Sequence, residues 1–344
     1  MRIAITTPIV PFVQGGGEAH AEGLKRACIA AGHEADIVSM PFLREPPEEL
    51  DRQIDAWESL RFERFWQRPD HVIGLRFPGY LVAHPSRAIW LLHQYREAYE
   101  LVDRERVRSD RDYARVNERV RELDRRVLGA AAAEGRLYTN ARNVSRRLLR
   151  DNGIEAPPLY HPPPGHGEIY AAGYEAVIFA PSRLEELKRQ NLLIEAMALV
   201  RGPVTAVIAG GGTMFEAYQR RIEELDIGWK VRLLGAIPRE EMHAWYANCL
   251  GVFFGPRDED YGYITLEAML AARAVITCSD SGGPLEFVRD GETGFVCEPH
   301  PAEIAAAIDR LAADAARARA MGEAGREHYR AQGISWDKAV EALT

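Results

Sequence analysis

The sequence is poor in cysteine, and its few cysteines lie far apart. Cys28, Cys249, Cys278 and Cys297 are the only ones in 344 residues, and no two have the Cys-x-x-Cys spacing of a redox or zinc motif. Disulfides and a cysteine-bound zinc ion are therefore not expected, and a reducing compartment fits this composition. We predict a cytoplasmic protein.

Long hydrophobic runs are also missing. No apolar stretch approaches the roughly 18 residues that span a bilayer. The N-terminal MRIAITTP is typical of a strand and lacks the parts of a secretory leader. The sequence therefore predicts neither a membrane span nor a signal peptide. Its 47% hydrophobic and 27% charged residues are ordinary for a globular enzyme, and its length favours two domains.

An excess of positive charge is absent overall but present locally. The net charge of −8 argues against a nucleic-acid-binding protein. Residues 101–150 nevertheless contain 14 arginines and 8 acidic residues, a local balance of +6. One interpretation is a solvated helix with ion pairs between positions i and i+4. The other is a basic face that meets an anionic membrane or a phosphorylated acceptor.

Strand-like and helix-like segments alternate through both halves of the chain, which is typical of doubly wound parallel sheets. The segment EAPPLYHPPPGHGEIYAAG is rich in proline and glycine and predicts a linker. We therefore expect domains at 1–168 and 169–329, with a last helix in 330–344 that packs back on the first domain. The predicted strands are RIAIT, EADIVSM, HVIGL, AIWLL and RLYTN, then EAVIFA, PVTAVIAG, VRLLG, GVFFG and AVITC.

The segment EDYGYITLE, residues 259–267, carries two carboxylates eight positions apart. It follows a predicted strand and precedes a helix-like run, so Glu259 is expected on a loop and Glu267 in the first turn of a helix. Ligands bind at the carboxyl ends of parallel strands and at free helix N-termini. Two acceptor groups beside a positive helix end suit a ligand with hydroxyls and a phosphate.

Two further segments suit a phosphate. Gly15, Gly16 and Gly17 precede the first predicted helix, where glycine lets a phosphate approach the backbone. Their spacing is not the dinucleotide motif G-x-G-x-x-G, so hydride chemistry loses its main support. Arg183 and Lys188 follow a predicted strand, and a rigid fork with a mobile point charge suits a diphosphate. The alternative for the three glycines is a structural turn. The alternative for Arg183 and Lys188 is ordinary surface charge.

Two weaker candidates lie at the ends of other predicted strands. His93 follows AIWLL and is either a structural histidine or a residue of a ligand site. The segment SGGPLEFVRDGETGF, with Gly282, Gly283 and Glu286, is either a phosphate or sugar loop or a pair of turns around a short helix.

Taken in order along the chain, these segments resemble the retaining glycosyltransferases of family 4. That resemblance implies an α/β architecture, the GT-B fold, in which two Rossmann-like, doubly wound domains face a central cleft. Ser182, Arg189 and Ala272 depart from it where glycine is usual, and Ala274 where proline is usual. The matching segments are GGGEAH, GHEADIV, TNARNVSRRLLRDNGI, RLEELK, AGGG, VRLLG, EDYGYITLEAM and GGPLEFVRDGETGFV.

The resemblance also implies roles for the matching residues. Arg183 and Lys188 would bind the diphosphate of a nucleotide sugar and stabilise the leaving group. Glu259 and His93 would contact the transferred sugar, and Glu267 would accept hydrogen bonds from the ribose. The other residues expected at the donor are Gly16, Gly17, Gly211, Leu234, Tyr261, Gly262, Tyr263 and Ile264. Those expected on the acceptor side are His20, Tyr95 and Arg96.

The function implied is metal-independent, retaining transfer of a sugar from a UDP- or GDP-linked donor to a glycan, lipid-linked or small-molecule hydroxyl. No cofactor is expected, and bacterial glycoconjugate synthesis at the inner face of the cell membrane would fit. Asp258, Glu259 and Asp260 mimic the Asp-x-Asp metal motif of another glycosyltransferase fold, but two basic residues already supply positive charge. An epimerase, a phosphorylase or a non-catalytic nucleotide-sugar-binding protein are the alternatives.

Overall fold

The structure is a computed structural model that describes residues 1–13 and 15–344. The chain divides into two compact units. The first unit is Met1–Pro164 together with Ser335–Thr344, and the second is Gly165–Ile334. The sequence predicts the corresponding boundary at residue 168, and it predicts that the chain returns to the first domain from residue 330.

The first unit is built on a five-stranded parallel sheet with the order β2-β1-β3-β4-β5. Its strands are β1 Arg2–Thr6, β2 Glu34–Val38, β3 His71–Gly74, β4 Arg87–Leu91 and β5 Leu137–Thr139. Its helices are α1 Gly16–Ala30, α2 Pro47–Ser59, α3 Arg104–Ser109, α4 Arg111–Ala133, α5 Arg142–Asn152 and, from the C-terminal end of the chain, α12 Trp336–Leu343.

The second unit has a six-stranded parallel sheet with the order β11-β10-β9-β6-β7-β8. Its strands are β6 Glu175–Pro181, β7 Thr205–Ala209, β8 Val231–Gly235, β9 Cys249–Phe253, β10 Ala274–Cys278 and β11 Gly294–Cys297. Its helices are α6 Gln190–Leu199, α7 Phe215–Glu224, α8 Arg239–Asn248, α9 Tyr263–Leu270, α10 Pro301–Ala313 and α11 Ala315–Ala331.

All ten strands predicted from the sequence are present. The eleventh, β11, is a four-residue edge strand that the sequence analysis missed. The Ala-rich run after residue 301 forms two helices, α10 and α11. Asp314 separates them, and its side chain accepts a hydrogen bond from the N–H of Arg317 as the N-cap of α11. A capping carboxylate favours a new helix start over continuation.

Each unit has its own hydrophobic core. In the first, Ile5, Leu24 and Trp90 are fully buried, and Val340 and Leu343 of α12 belong to the same cluster. The last helix thus completes the core of the first unit, because its apolar face has no other place to be buried. The core of the second unit includes Ile178, Leu193, Ile208, Ile276 and Ile308.

Both sheets have a point at which the strand order reverses. In the first unit the chain runs from β1 outwards to β2 and then returns to β3 on the other side. In the second unit it runs from β6 to β7 and β8 and then returns to β9. The loops that leave neighbouring strands at such a point diverge to opposite faces of the sheet, which opens a crevice for ligands at the carboxyl ends.

The basic segment of the first unit is helical, but most of its ion pairs were not foreseen. Arg115 and Arg119 of α4 pair with Asp51 of α2, and Arg126 pairs with Glu58 of the same helix. These pairs join two helices, whereas the sequence suggested pairs along one. No helix of the described residues is long and apolar enough to cross a membrane.

Candidate functional site

The reversal point of the second sheet brings Lys188 and Glu259 together. Lys188 ends a short 3-10 turn after β6, and Glu259 lies on the loop after β9. The Nζ atom of Lys188 lies 2.5 Å from Oε2 of Glu259, and both side chains are mostly buried. The structure therefore joins two of the residues that the resemblance implicates, 71 positions apart in sequence.

Arg183 lies on the same loop as Lys188 but is more exposed. Its guanidinium forms an ion pair of 2.8 Å with Glu185, and about half of its side chain is exposed to solvent. An exposed ion pair of this kind is weak, because water screens both charges. The Arg183 side chain can thus exchange Glu185 for an incoming phosphate at small cost.

The loops after β9 and β10 are joined backbone to backbone. The N–H groups of Asp258 and Glu259 donate to the carbonyls of Asp280 and Ser281, both at 2.9 Å. The N–H of Gly283 returns a bond of 2.8 Å to the carbonyl of Glu259. This small parallel bridge fixes Glu259 from both sides, so the GGPLEF segment, which begins at Gly282, supports the carboxylate loop.

The glycines of the AGGG segment permit a close approach of two loops. A Cβ on Gly210 would lie 1.7 Å from the carbonyl oxygen of Ser182, and one on Gly212 would lie 2.3 Å from that of Leu184. Both glycines also have φ angles above +140°. Gly211 itself accepts a hydrogen bond from the N–H of Leu184 at 2.9 Å. The segment therefore holds the loop after β6, which carries Arg183 and Lys188.

Glu267 lies in the second turn of α9, so the prediction of a first-turn position is wrong. The helix begins at Tyr263, earlier than the sequence suggests, directly after Gly262, which takes a left-handed conformation with φ of 86°. The Tyr246 hydroxyl donates to Oε2 of Glu267 at 2.7 Å. Burial raises the pKa of Glu267, and the bond from Tyr246 opposes that rise. No bond to the other carboxylate oxygen is found in the described part of the chain.

The start of α9 is held by tight packing. A Cβ on Gly262 would lie 3.1 Å from both Phe254 and Pro284. The ring of Tyr261 packs edge-on against that of Tyr263, with centroids 5.7 Å apart. No side chain caps this helix end. Since Ile264 follows in the first turn, the backbone of this segment presents the positive end of a helix.

Leu234 is half-buried near the end of β8. The next residue, Gly235, has a φ of 71° and accepts a bond of 2.7 Å from the N–H of Gly210. The backbone of Leu234 is thus fixed beside the glycine segment.

In the first unit, Gly16 and Gly17 form the first turn of α1 and are not a loop before it. The space beside Gly17 is filled by Arg76, since a Cβ there would lie 2.4 Å from Nη1 of Arg76. That guanidinium also pairs with Glu18 at 2.8 Å and donates to the carbonyl of Pro8 at 2.6 Å. Sequence analysis missed Arg76, although its place directly after β3, at the reversal point of the sheet, is a usable signal.

His93, Tyr95 and Arg96 lie in the segment that follows β4. The Nδ1 atom of His93 is 2.7 Å from the carbonyl of Gln94, so the proton is on Nδ1 in that contact. The Tyr95 hydroxyl donates to Glu97 at 2.5 Å, and Arg96 pairs with Glu100. Burial raises the pKa of Tyr95. These contacts engage polar groups of His93, expected at the transferred sugar, and of Tyr95 and Arg96, expected on the acceptor side.

His20 is fully buried, which leaves no surface of its ring for an acceptor. It stacks on His161 with centroids 4.2 Å apart and contacts the edge of Trp90 at the same distance. Neither of its ring nitrogens has a hydrogen-bond partner among the described residues. Burial lowers the pKa of His20 well below its usual value, so the ring is neutral. The acceptor role expected for His20 therefore lacks structural support, and packing explains the residue.

Comparison with known proteins assigns the class. Across 100% of this chain and 97% of the other, the structure resembles HepE of Anabaena, solved with UDP and glucose, with a TM-score of 0.71 and 15% sequence identity. The chain accordingly has the GT-B fold. Residues 169–328 match the profile of the family described as Glycosyl transferases group 1. The matched residues all lie in the second unit.

Two curated relatives match over similar lengths. The GDP-mannose-dependent alpha-(1-6)-phosphatidylinositol monomannoside mannosyltransferase of Mycolicibacterium smegmatis is 36% identical over 180 residues, 49% of this chain and 47% of the relative. The human alpha-1,3/1,6-mannosyltransferase ALG2 is 27% identical over 175 residues, 46% of this chain and 42% of the relative. The chain thus matches less than half the length of either relative.

Proposed function

We propose that the protein transfers a sugar from a nucleoside diphosphate sugar to a hydroxyl acceptor. The observation that carries this proposal is the Lys188–Glu259 pair at the reversal point of the second sheet, with Glu267 on the helix that follows the Glu259 loop. Lys188 and the nearby Arg183 suit a diphosphate. The Glu267 oxygen for which no hydrogen bond is found among the described residues suits a ribose hydroxyl. The acceptor is a glycan, a lipid-linked saccharide or a small molecule.

The proposed reaction breaks the bond between the anomeric carbon and the β-phosphate oxygen and forms a bond to the acceptor oxygen. The acceptor's proton moves to the departing diphosphate, and the new bond forms on the face that the diphosphate leaves. Negative charge grows on the leaving group, and Arg183 and Lys188 would stabilise it. An inverted anomer in the product, measured by NMR, would overturn this course.

GDP-mannose is the preferred donor in this proposal. Support comes from the names of the relatives, one of which is GDP-mannose-dependent and both of which are mannosyltransferases. UDP-glucose is the competing donor, in view of the ligands of the Anabaena structure. Titration calorimetry with GDP, UDP and the two sugar nucleotides distinguishes them, and binding of none would contradict the proposed function.

The Lys188→Ala variant tests the diphosphate contact. We expect turnover to fall about 10²- to 10³-fold, as is usual when one charge-stabilising donor is removed. Arg220→Ala is the matched control, because Arg220 is an exposed cation of α7 in the same unit. Equal activity of the two variants would contradict the assigned role of Lys188.

Metal independence is part of the proposal, since Arg183 and Lys188 supply the positive charge that a divalent ion provides elsewhere. Activity should persist in EDTA. Loss of turnover in EDTA that manganese restores would show that a metal takes part.

Peripheral contact with an anionic membrane is the last part of the proposal. Arg104, Arg108 and Arg111 are exposed, and no ion pair of theirs is found among the described residues. Co-sedimentation with phosphatidylglycerol vesicles, compared with phosphatidylcholine vesicles, tests it. Equal recovery with both vesicle types would remove the membrane from the proposal.

A further inference from the structure

Arg189 adopts a backbone conformation that usually requires glycine. Its φ is 52° and its ψ is 39°, between the 3-10 turn that ends at Lys188 and the start of α6. A residue with a Cβ is unfavourable in this left-handed region, whereas glycine is not. The arginine side chain must therefore make contacts that compensate for its backbone.

The Arg189 guanidinium is almost fully engaged by protein oxygens. Its Nε–H donates to the carbonyl of Gly255 at 2.9 Å, and Nη2 donates to that of Pro256 at 2.8 Å. It also forms a bidentate pair with Asp280, with distances of 2.6 and 2.9 Å. These bonds use at least four of the five N–H groups. The side chain is only 16% exposed, so Arg189 is poorly placed to bind a ligand itself.

These contacts connect three loops. Arg189 belongs to the loop after β6, Gly255 and Pro256 to the loop after β9, and Asp280 to the loop after β10. Lys188 directly precedes Arg189 in sequence, and Glu259 lies on the loop after β9. Bidentate charged contacts of this kind fix relative orientation as well as distance.

We propose that Arg189 is a positioning residue of the nucleoside diphosphate site. Its guanidinium holds the loops after β6, β9 and β10 in the arrangement that places Lys188 beside Glu259 before any ligand binds. The inference rests on the proposed function. Without this contact the loops sample other arrangements, and apparent affinity falls in proportion to the fraction of molecules that remain competent to bind.

The Arg189→Gly variant separates positioning from folding. Glycine accepts the left-handed backbone, so we expect an unchanged or raised Tm. The Kd for GDP or UDP, whichever the wild-type protein binds more tightly, should rise about tenfold if about one tenth of the molecules remain competent. Calorimetric titration measures the Kd, and differential scanning calorimetry measures the Tm.

Asp226→Gly is the matched control. Asp226 also has a left-handed backbone, with φ of 51°, and is exposed at the end of α7 in the same unit. We expect this change to leave the Kd unaltered, since Asp226 touches none of the three loops in the described structure. A similar rise in Kd for both variants would overturn the positioning role.

Asp280→Asn supplies a second variant that leaves the backbone at Arg189 untouched. It should also raise the Kd. Combining it with Arg189→Gly should change the Kd little further, because both substitutions remove the same contact between Arg189 and Asp280. This variant decides the question if Arg189→Gly lowers the Tm. A wild-type Kd in both variants overturns the positioning role alone, whereas failure of the wild-type protein to bind GDP or UDP overturns the proposed function as well.

Discussion

Single side chains set the charge state of the candidate site. Lys188 and Glu259 neutralise each other at 2.5 Å, while Glu267 lies among buried rings and accepts a bond from Tyr246. An incoming diphosphate would compete with Glu259 for Lys188. Glu259 would then be released towards the sugar, which is the contact that the family resemblance implies.

Removing the Tyr246 hydroxyl should alter the pH dependence of nucleotide binding. Burial already raises the pKa of Glu267, and Tyr246→Phe removes the bond that opposes this rise. The ionised carboxylate accepts a hydrogen bond from a ribose hydroxyl more strongly than the protonated acid does. Affinity for GDP or UDP should therefore weaken as the pH falls, with a midpoint at higher pH in the variant.

Calorimetric titration between about pH 4.5 and 8 measures this midpoint. Tyr218→Phe is the control, since Tyr218 is another buried tyrosine of the second unit whose hydroxyl lies 3.4 Å from Gln190. An identical midpoint in wild-type protein and Tyr246→Phe would show that Glu267 does not bind the ribose as a carboxylate.

Contacts between pairs of secondary-structure elements hold the first unit together. Helix α12 packs on α1, where Gly23 leaves room for the ring of Trp336. Helix α4 is joined to the segments after β3 and β4 through Asp124, which is fully buried and accepts hydrogen bonds from Tyr80 and Tyr99. These contacts link parts of the chain that are far apart in sequence.

Gly23→Ala should destabilise the first unit. The added methyl group would lie 2.4 Å from the Trp336 ring, and overpacking of this kind costs about 1–3 kcal/mol. Gly129→Ala is the control. Gly129 lies within α4, and its added Cβ would meet only Ile154, at 3.8 Å. Alanine at this helical position should raise the free energy of unfolding by about 0.5–1 kcal/mol. Urea denaturation measures both. Equal destabilisation would mean that the α1–α12 contact is looser than described.

Asp124 should make stability fall as the pH rises. Burial raises its pKa to about 6, well above the usual value of about 3.9 for an aspartate, so between these values the folded state holds a proton that the unfolded state has lost. The free energy of unfolding then falls with rising pH, by on the order of 3 kcal/mol. Asp124→Asn should remove this slope, and Asp112→Asn on the exposed face of the same helix should not. Parallel curves for wild-type protein and Asp124→Asn, from unfolding at pH 4 to 7, would contradict the assignment.

At the scale of the whole molecule, two cores carry two separate sets of candidate residues. Lys188, Glu259 and Glu267, which we propose bind the donor, all belong to the second unit, and α12 ties the C-terminal end of the chain to the first. The family match is confined to the second unit. The family match and the proposed donor site thus lie in the same half of the chain.

Hydrogen exchange should locate the bound nucleotide in that half. With saturating GDP or UDP, amide protection should increase in the loops after β6, β9 and β10 and at the start of α9, because binding orders the groups that contact the ligand. Peptides from β1 to β5 should change less. Protection concentrated in the first unit would contradict the donor site proposed here.

The sequence alone determined ten of the eleven strands and the division into two units, because short apolar runs between glycine-rich turns are local signals. It also singled out Lys188 and Glu259, since both follow strands. It could not show their ion pair, because strand order in the sheet is a long-range property. Likewise only the tertiary structure revealed Arg76 beside Gly17, the burial of His20 and the second-turn position of Glu267. Arg189 is the clearest case. In sequence it stands where the resembling family usually has glycine, and only the structure shows that its side chain bonds to two loops from distant parts of the chain.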